Sequence, residues 1–210
     1  MLNSINNIRA EFINTGKRLY ESGFVPGCSG NISFRIQDEI LITASGCCLG
    51  ELTEKDVVPI DFEGNSLNKE CKASSEKFMH IEIYKRRPDI NCIIHAHPPK
   101  TTALSVAGID LTAPLIAEAV VTIGKIPLVE YETPSTSKLA VKVAESFVDH
   151  DAVLMANHGV TVCGNGLKMT FYKMETIEFQ SEVCFITEVL NKRNVIPPEK
   201  VIDLINLRKR

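Results

Sequence analysis

Cys92-Ile93-Ile94-His95-Ala96-His97-Pro98-Pro99 reads as a buried strand that ends in two imidazoles. Alternate residues of a strand point to the same side. His95 and His97 therefore project together where the prolines stop the strand. Two imidazoles aimed at one point supply two of the three or four ligands of a catalytic zinc. A third is at hand in Leu154-Met155-Ala156-Asn157-His158-Gly159-Val160, where His158 also follows an apolar strand and the glycine after it permits a sharp turn. The competing reading makes each histidine a structural hydrogen-bonder. With only five histidines in the chain, three at matching strand ends favour a metal site. The other two read differently. His150, between Asp149 and Asp151, reads as part of a solvated polar turn. His80 follows Glu76 by four residues and is expected to pair with that carboxylate along one helix face.

On either side of this strand, the chain alternates strands and helices. Ile8, Phe12, Leu19 and Tyr20, with Ile5 before them, mark an amphipathic helix over residues 4–21, followed by a turn at 23–27. Strands are expected over 31–36, 39–43, 57–62, 90–96, 126–131, 152–156 and 159–162. Helices are expected over 74–86 (with Phe78, Ile81 and Tyr84 on one face), 100–106, 135–148, 167–191 and 199–207. Several strands follow one another through short turns, which excludes a purely parallel doubly wound sheet. A three-layer α/β/α arrangement with a central mixed, largely antiparallel sheet fits this order. No internal repeat or linker divides the chain, so residues 1–210 are expected to form one domain.

Bulk properties narrow the function. The 210 residues are 44% hydrophobic and 23% charged, with a net charge of −3. That balance argues against nucleic acid as a partner, since phosphate backbones need a basic face. There is no leader-like apolar stretch and no run of about 20 apolar residues, so a cytoplasmic protein without a membrane partner is expected. The most apolar region, residues 113–124, is too short to cross a bilayer and carries Glu118. Seven scattered cysteines without a C-x-x-C pair read as reduced thiols.

Three polar, small-residue segments remain: Ser29-Gly30-Asn31-Ile32-Ser33, Thr43-Ala44-Ser45-Gly46 and Ser74-Ser75-Glu76. Each can offer backbone N–H and hydroxyl donors, and the last opens a helix. Together they could make an anion site; singly each is an ordinary turn or helix start. Glu76 is read in the first helical turn. There it either complements the helix dipole or stands by a metal as a base for proton transfer at carbon.

In this order, Ser-Gly-Asn-Ile-Ser, Thr-Ala-Ser-Gly, Ser-Ser-Glu, His-Ala-His-Pro and Asn-His-Gly resemble the class II aldolase/adducin family, in its fuculose-1-phosphate aldolase-like branch. The match runs over residues 27–164. The resemblance implies one Zn2+ per subunit held by His95, His97 and His158, with Glu76 beside it as catalytic acid/base. It implies a substrate phosphate held by Gly30, Asn31, Ser45, Gly46, Ser74 and Ser75. It implies a homotetramer with sites at subunit interfaces, and cleavage of a ketose 1-phosphate to dihydroxyacetone phosphate and an aldehyde through an enediolate. Related dehydratase, 4-epimerase or decarboxylase chemistry uses the same enediolate, and an adducin-like binding module would use none. The tyrosine that the fuculose aldolases supply near position 116 is absent here, as is one near the C-terminus. Glu118 is the candidate proton donor in its place; its alternative role is a surface or interface carboxylate.

Overall fold

The computed structural model describes residues 2–68 and 71–208, with the side chains of 2–6 and of Arg208 left aside. The side chain of Ile5, and Lys209 and Arg210, thus lie outside the described residues. In chain order the elements are α1 (Leu2–Glu21), β1 (Asn31–Ile36), β2 (Glu39–Thr43), β3 (Val57–Ile60), α2 (Lys77–Arg86), β4 (Cys92–Ala96), α3 (Pro99–Val106), α4 (Ala117–Thr122), β5 (Leu128–Val129), α5 (Ser137–Ser146), β6 (Ala152–Met155), β7 (Gly159–Gly164), α6 (Leu167–Val189) and α7 (Pro198–Arg208). Two 3-10 turns, Leu49–Glu51 and Glu54–Asp56, precede β3.

Seven strands form one mixed sheet in the order β3-β2-β1-β4-β7-β6-β5. Among the described residues only β5 and β6 pair in parallel; the other neighbours are antiparallel. Alternation along β4 divides the core. Cys92, Ile94 and Ala96 face a layer that contains Phe12 and Leu19 of α1, Leu104 of α3 and Phe171, Met174 and Ile177 of α6. Ile93 faces the opposite layer, built on Met79, Ile81, Ile83 and Tyr84 of α2, Leu139 and Val143 of α5, and Phe147 just after it. The sheet is thus sandwiched between helices, as expected for three layers. The central strands are apolar on both faces because both are covered.

Details of the expected elements shift for local reasons. The helix expected from residue 74 begins at Lys77, because Glu76 takes the cap position (φ −86°, ψ 5°) and Ser74 and Ser75 form the turn before it. Phe78 is exposed, while Met79 and His80 turn inward beside Ile81 and Tyr84. Tyr20 likewise stands half exposed beside the buried stripe of α1. The strand expected over 126–131 contracts to Leu128–Val129, with Ile126 bridging to Leu111 instead. Residues 113–124, read only as an apolar stretch, contain the short helix α4.

Candidate metal centre

β4 is the middle strand of the sheet, hydrogen-bonded to β1 on one side and β7 on the other, with His95 opposite Asn31 and opposite Thr161. This pairing holds the His95 backbone rigidly. His97 lies just beyond the strand end, its N–H donating to the Phe24 carbonyl at 2.8 Å. His158 sits in the β6–β7 hairpin, behind Asn157 in the left-handed region (φ 56°). Asparagine tolerates that conformation better than most residues. Gly159 is required by proximity. A β-carbon there would come within 2.5 Å of both the Ala96 carbonyl oxygen and the His97 ring.

The three imidazoles converge. Ring centroids are 4.7 Å apart for His95 and His97, 4.8 Å for His95 and His158, and 5.3 Å for His97 and His158. One ligand nitrogen from each lies within 4.8 Å of the others. The tautomer of His95 follows from its partners. Nδ1 is 3.1 Å from the Val160 carbonyl and 3.2 Å from Thr161 Oγ1, whose own proton is directed to Met79 Sδ. Both partners are acceptors, so Nδ1 carries the proton and the Nε2 lone pair faces the cleft. Burial, and then the neighbouring His97 and His158, push His95 well below its usual titration range. Burial also brings His97 down to about 4 and lowers His158, against the pull of Glu76. At neutral pH all three are neutral imidazoles, the form that binds metal.

Glu76 Oε2 is 3.7 Å from His95 Nε2. Because that histidine is neutral, this is no ion pair: a carboxylate oxygen and a nitrogen lone pair face the same point. Two ligands on one tetrahedral zinc stand about 3.4 Å apart, so the spacing suits a shared cation. Oε2 is buried and has no hydrogen-bond partner, as is His158 Nδ1. A buried orphan acceptor such as Oε2 is costly, and a divalent cation beside it relieves that cost. The residues present fit the metal. The other carboxylate oxygen is tethered: Oε1 accepts from Ser135 N–H at 2.9 Å and from Ser135 Oγ–H at 3.2 Å. Ser135 offers both donors from a left-handed backbone (φ 63°) just before α5.

The small-residue loops meet the histidines at the same place. The 43–46 and 72–75 loops are laced together by Ser74 N–H to the Thr43 carbonyl (3.0 Å), Ser45 N–H to the Lys72 carbonyl (2.8 Å) and a bridge between Ala44 and Ala73. Ser74 Oγ accepts from the Glu76 N–H at 3.2 Å. Gly30 is left-handed (φ 75°), and a β-carbon on it would lie 2.8 Å from the His95 carbonyl oxygen. One cleft of about 250 Å3 is lined by Gly30, Asn31, Ser45, Gly46, Ser74, Ser75, Glu76, His95, His97 and His158, with Cys28, Ala44, Pro134 and Ser135. A carboxylate, three neutral imidazoles and a rim of backbone and hydroxyl donors can hold a metal beside an anion.

Other expectations fall elsewhere. Glu118 is exposed on α4 and is not among the residues lining this cleft. His80 does not pair with Glu76. It is fully buried, with Nδ1 2.6 Å from Ser33 Oγ and Nε2 2.5 Å from Asn31 Oδ1, because α2 lies on the sheet and turns this face toward β1. His150 is half-buried rather than solvated. Its Nδ1 is 2.8 Å from the Ser146 carbonyl, and its own carbonyl accepts from Arg87. Ser135 and Thr161 carried no sequence signal. Each acts through a residue far away in the chain.

The model of the class II aldolase and adducin N-terminal domain matches residues 10–185. The 5-deoxy-D-ribulose 1-phosphate aldolase of Bacillus thuringiensis serovar kurstaki is 35% identical over 93% of this chain and 92% of that protein. A 3-oxo-tetronate 4-phosphate decarboxylase of Haemophilus influenzae is 32% identical over 94% of this chain and 95% of its own length. Among solved structures, an L-fuculose 1-phosphate aldolase superposes with a TM-score of 0.91, 31% identity and 97% coverage of both chains.

Proposed function

The chain belongs to the class II aldolase and adducin family, and from that premise we propose that it is a zinc-dependent aldolase that cleaves a ketose 1-phosphate to dihydroxyacetone phosphate and an aldehyde. The observation that carries this reading is Glu76 Oε2, buried, unpartnered and 3.7 Å from the neutral His95 within a trio of imidazoles. His95, His97 and His158 would hold the metal, with Glu76 beside them. A divalent cation there supplies a Lewis acid that disperses the negative charge of an enediolate.

The chain's own residues supply the rest. Gly30, Asn31, Ser45, Gly46, Ser74 and Ser75 would bind the substrate phosphate through backbone and side-chain donors, aided by the N-terminus of α2. That grip sets the carbon chain against Glu76. In cleavage, the carbon–carbon bond breaks and its electron pair stays on the phosphate-bearing half. Glu76 Oε2 then delivers a proton to that carbon, and in synthesis it removes one. Ser135 restrains Oε1 and leaves Oε2 for the transfer. The hydroxyl proton of the aldehyde half needs a second group. Glu118 is exposed on α4 and, in the homotetramer proposed here, would serve the cleft of a neighbouring subunit. Exposed Met169, Phe179, Ile186 and Val189 on α6 support association, because so much apolar surface on one helix is unusual for a monomer.

A second reading is decarboxylation through the same enediolate, which the Haemophilus influenzae relative's name supports. Metal-replete protein should be incubated with L-fuculose 1-phosphate, 5-deoxy-D-ribulose 1-phosphate and a 3-oxo-tetronate 4-phosphate. Dihydroxyacetone phosphate and carbon dioxide are then measured separately. Dihydroxyacetone phosphate released from either ketose 1-phosphate, with its aldehyde and no carbon dioxide, supports the aldolase. Carbon dioxide released from the 3-oxo-tetronate 4-phosphate, which itself leaves dihydroxyacetone phosphate, with both ketose 1-phosphates untouched, replaces it with the decarboxylase. Protein that carries no metal and forms neither product points to an adducin-like binding module.

A further inference from the structure

Behind the cleft lies a buried row of side chains that the chemistry above leaves unused. His80 of α2 is wholly buried and bridges two polar residues of β1, Asn31 and Ser33. Ser33 Oγ is in turn 2.9 Å from Tyr84 Oη. Ser33 and Tyr84 are as deeply buried as the histidine. Burial drives His80 down to about 3, so the ring is neutral and carries one proton.

One proton on the ring allows the row only two senses. In the first, Nε2–H donates to Asn31 Oδ1, Nδ1 accepts from the Ser33 hydroxyl, and the Tyr84 hydroxyl donates to Ser33. In the second every donation reverses, and Asn31 must turn its amide so that the oxygen faces the cleft. The far end does not demand the second sense. Tyr84 Oη is placed to donate to the Asn91 carbonyl at 3.2 Å, a long bond that the first sense gives up, and that carbonyl keeps the Arg35 N–H at 2.7 Å. The near end favours the first. His95 Nε2 and Glu76 Oε2 already present acceptors to the cleft, and an amide oxygen would add a third. The structure has Asn31 Oδ1 against His80, which turns the NH2 group toward the cleft that Asn31 lines.

We propose that His80 is a positioning residue: backed by Ser33 and Tyr84, it grips Asn31 Oδ1 and fixes the amide with its NH2 group as a donor to an oxyanion of the substrate phosphate. This rests on the reading of the cleft as a sugar-phosphate site. The main chain of Asn31 is fixed by pairing with His95, so the amide orientation is the one freedom left, and His80 removes it. A side-chain amide free to flip would spend part of its time presenting oxygen to a phosphate.

Two measurements test this on the metal-loaded protein. The 15N spectrum of the histidine rings, with His80 assigned by its loss in His80→Gln, should show the Nε2–H tautomer. Calorimetric titration with inorganic phosphate should show binding by wild type that weakens about tenfold in His80→Leu. It should recover largely in His80→Gln, whose amide can still donate to Asn31. Tyr84→Phe should weaken binding by about two- to threefold, without loss of metal. The Nδ1–H tautomer, or equal phosphate affinity in wild type and His80→Leu, overturns the positioning role alone. Should His80→Leu fail to fold, the wild-type tautomer and Tyr84→Phe still decide it. A wild type that binds no phosphate overturns the sugar-phosphate reading, and the donation to phosphate with it.

Discussion

Glu76 Oε2 and His95 Nε2 face one another across 3.7 Å as two acceptors, the His95 proton being held on Nδ1. Acceptors buried in this relation repel unless a cation joins them. The carboxylate can do so and still work as a base, because its other oxygen is tied to Ser135.

Glu76→Gln separates these two roles. The amide oxygen can still accept from Ser135 N–H and Oγ–H, so the turn before α5 stays in place. Three imidazoles remain for the metal. Metal content by mass spectrometry should stay near that of wild type, while turnover falls by about 10^2- to 10^4-fold, the usual worth of a positioned general base. An active Gln variant would remove Glu76 from the chemistry.

His158→Ala tests the metal centre itself. Its loss leaves two imidazoles at the end of β4 and the orphan carboxylate oxygen. Metal affinity, measured by competition with a chromophoric chelator, should fall by more than the ~10- to 100-fold typical of losing a group behind a ligand. His150→Ala, in contrast, should leave affinity unchanged, since His150 bonds to Ser146 rather than to the cleft. Equal affinity in wild type and His158→Ala would exclude His158 as a ligand.

Glu178 predicts a stability effect that reaches the site. Pro98 occupies the cap position of α3 and makes no side-chain cap bond. The buried Glu178 carboxylate of α6 replaces that cap, accepting from Lys100 N–H (3.0 Å), Thr101 N–H (2.9 Å) and Thr101 Oγ1–H (2.7 Å). Glu178→Ala strands those donors at a helix start three residues after His97. Urea unfolding should show a loss of about 2–4 kcal/mol, with weaker metal binding as His97 loosens. A loss within about 0.5 kcal/mol, as for an ordinary surface change, would show that the cap is dispensable.

Much of this architecture is legible because it is periodic or local. The alternation that aims His95, and the turn that carries His158, are written in a few consecutive residues. So is the apolar stripe of α5. What sequence does not disclose is which distant partner a polar side chain finds. Four-residue spacing pairs His80 with Glu76, yet the packing of α2 on β1 gives it Ser33 and Asn31. The hold of Ser135 on Glu76 spans 59 residues and depends on a positive φ at a serine, which composition does not announce. Glu118 is legible as a carboxylate in an apolar stretch. That it is exposed and not among the residues lining the cleft emerges only when the stretch folds as α4.

Gly30→Ala should damage fold and site together. The added methyl would lie 2.6 Å from Val25 Cγ1 and 2.8 Å from the His95 carbonyl oxygen, on a backbone already left-handed. The left-handed conformation alone costs about 1–2 kcal/mol, and overpacking adds about 1–3 kcal/mol. Thermal melts should register that sum, and metal affinity should fall because the β4 end must shift. Gly27→Ala serves as control: its φ is 62° and no atom lies within 4 Å of an added β-carbon, so only the backbone cost should appear.

His80 sets the direction of the pH response. Its folded value, about 3, lies below the ordinary 6.5 because burial disfavours the charged ring. As pH falls, the unfolded chain therefore binds the proton first. The stability of keeping the ring neutral is complete above about 6.5. It is lost as pH drops toward 3, at about 1.4 kcal/mol per pH unit. Asp61, Glu82 and Asp89, whose titration is lowered by hydrogen bonds from Asn65, Arg86 and Arg87, also lose stability in acid. They are common to wild type and His80→Gln, so their share cancels in the difference. Urea midpoints at pH 7, 6 and 5 should fall more steeply for wild type than for His80→Gln, by up to that slope per unit. Parallel curves would mean that the buried imidazole does not report on folding, and that another group governs acid lability.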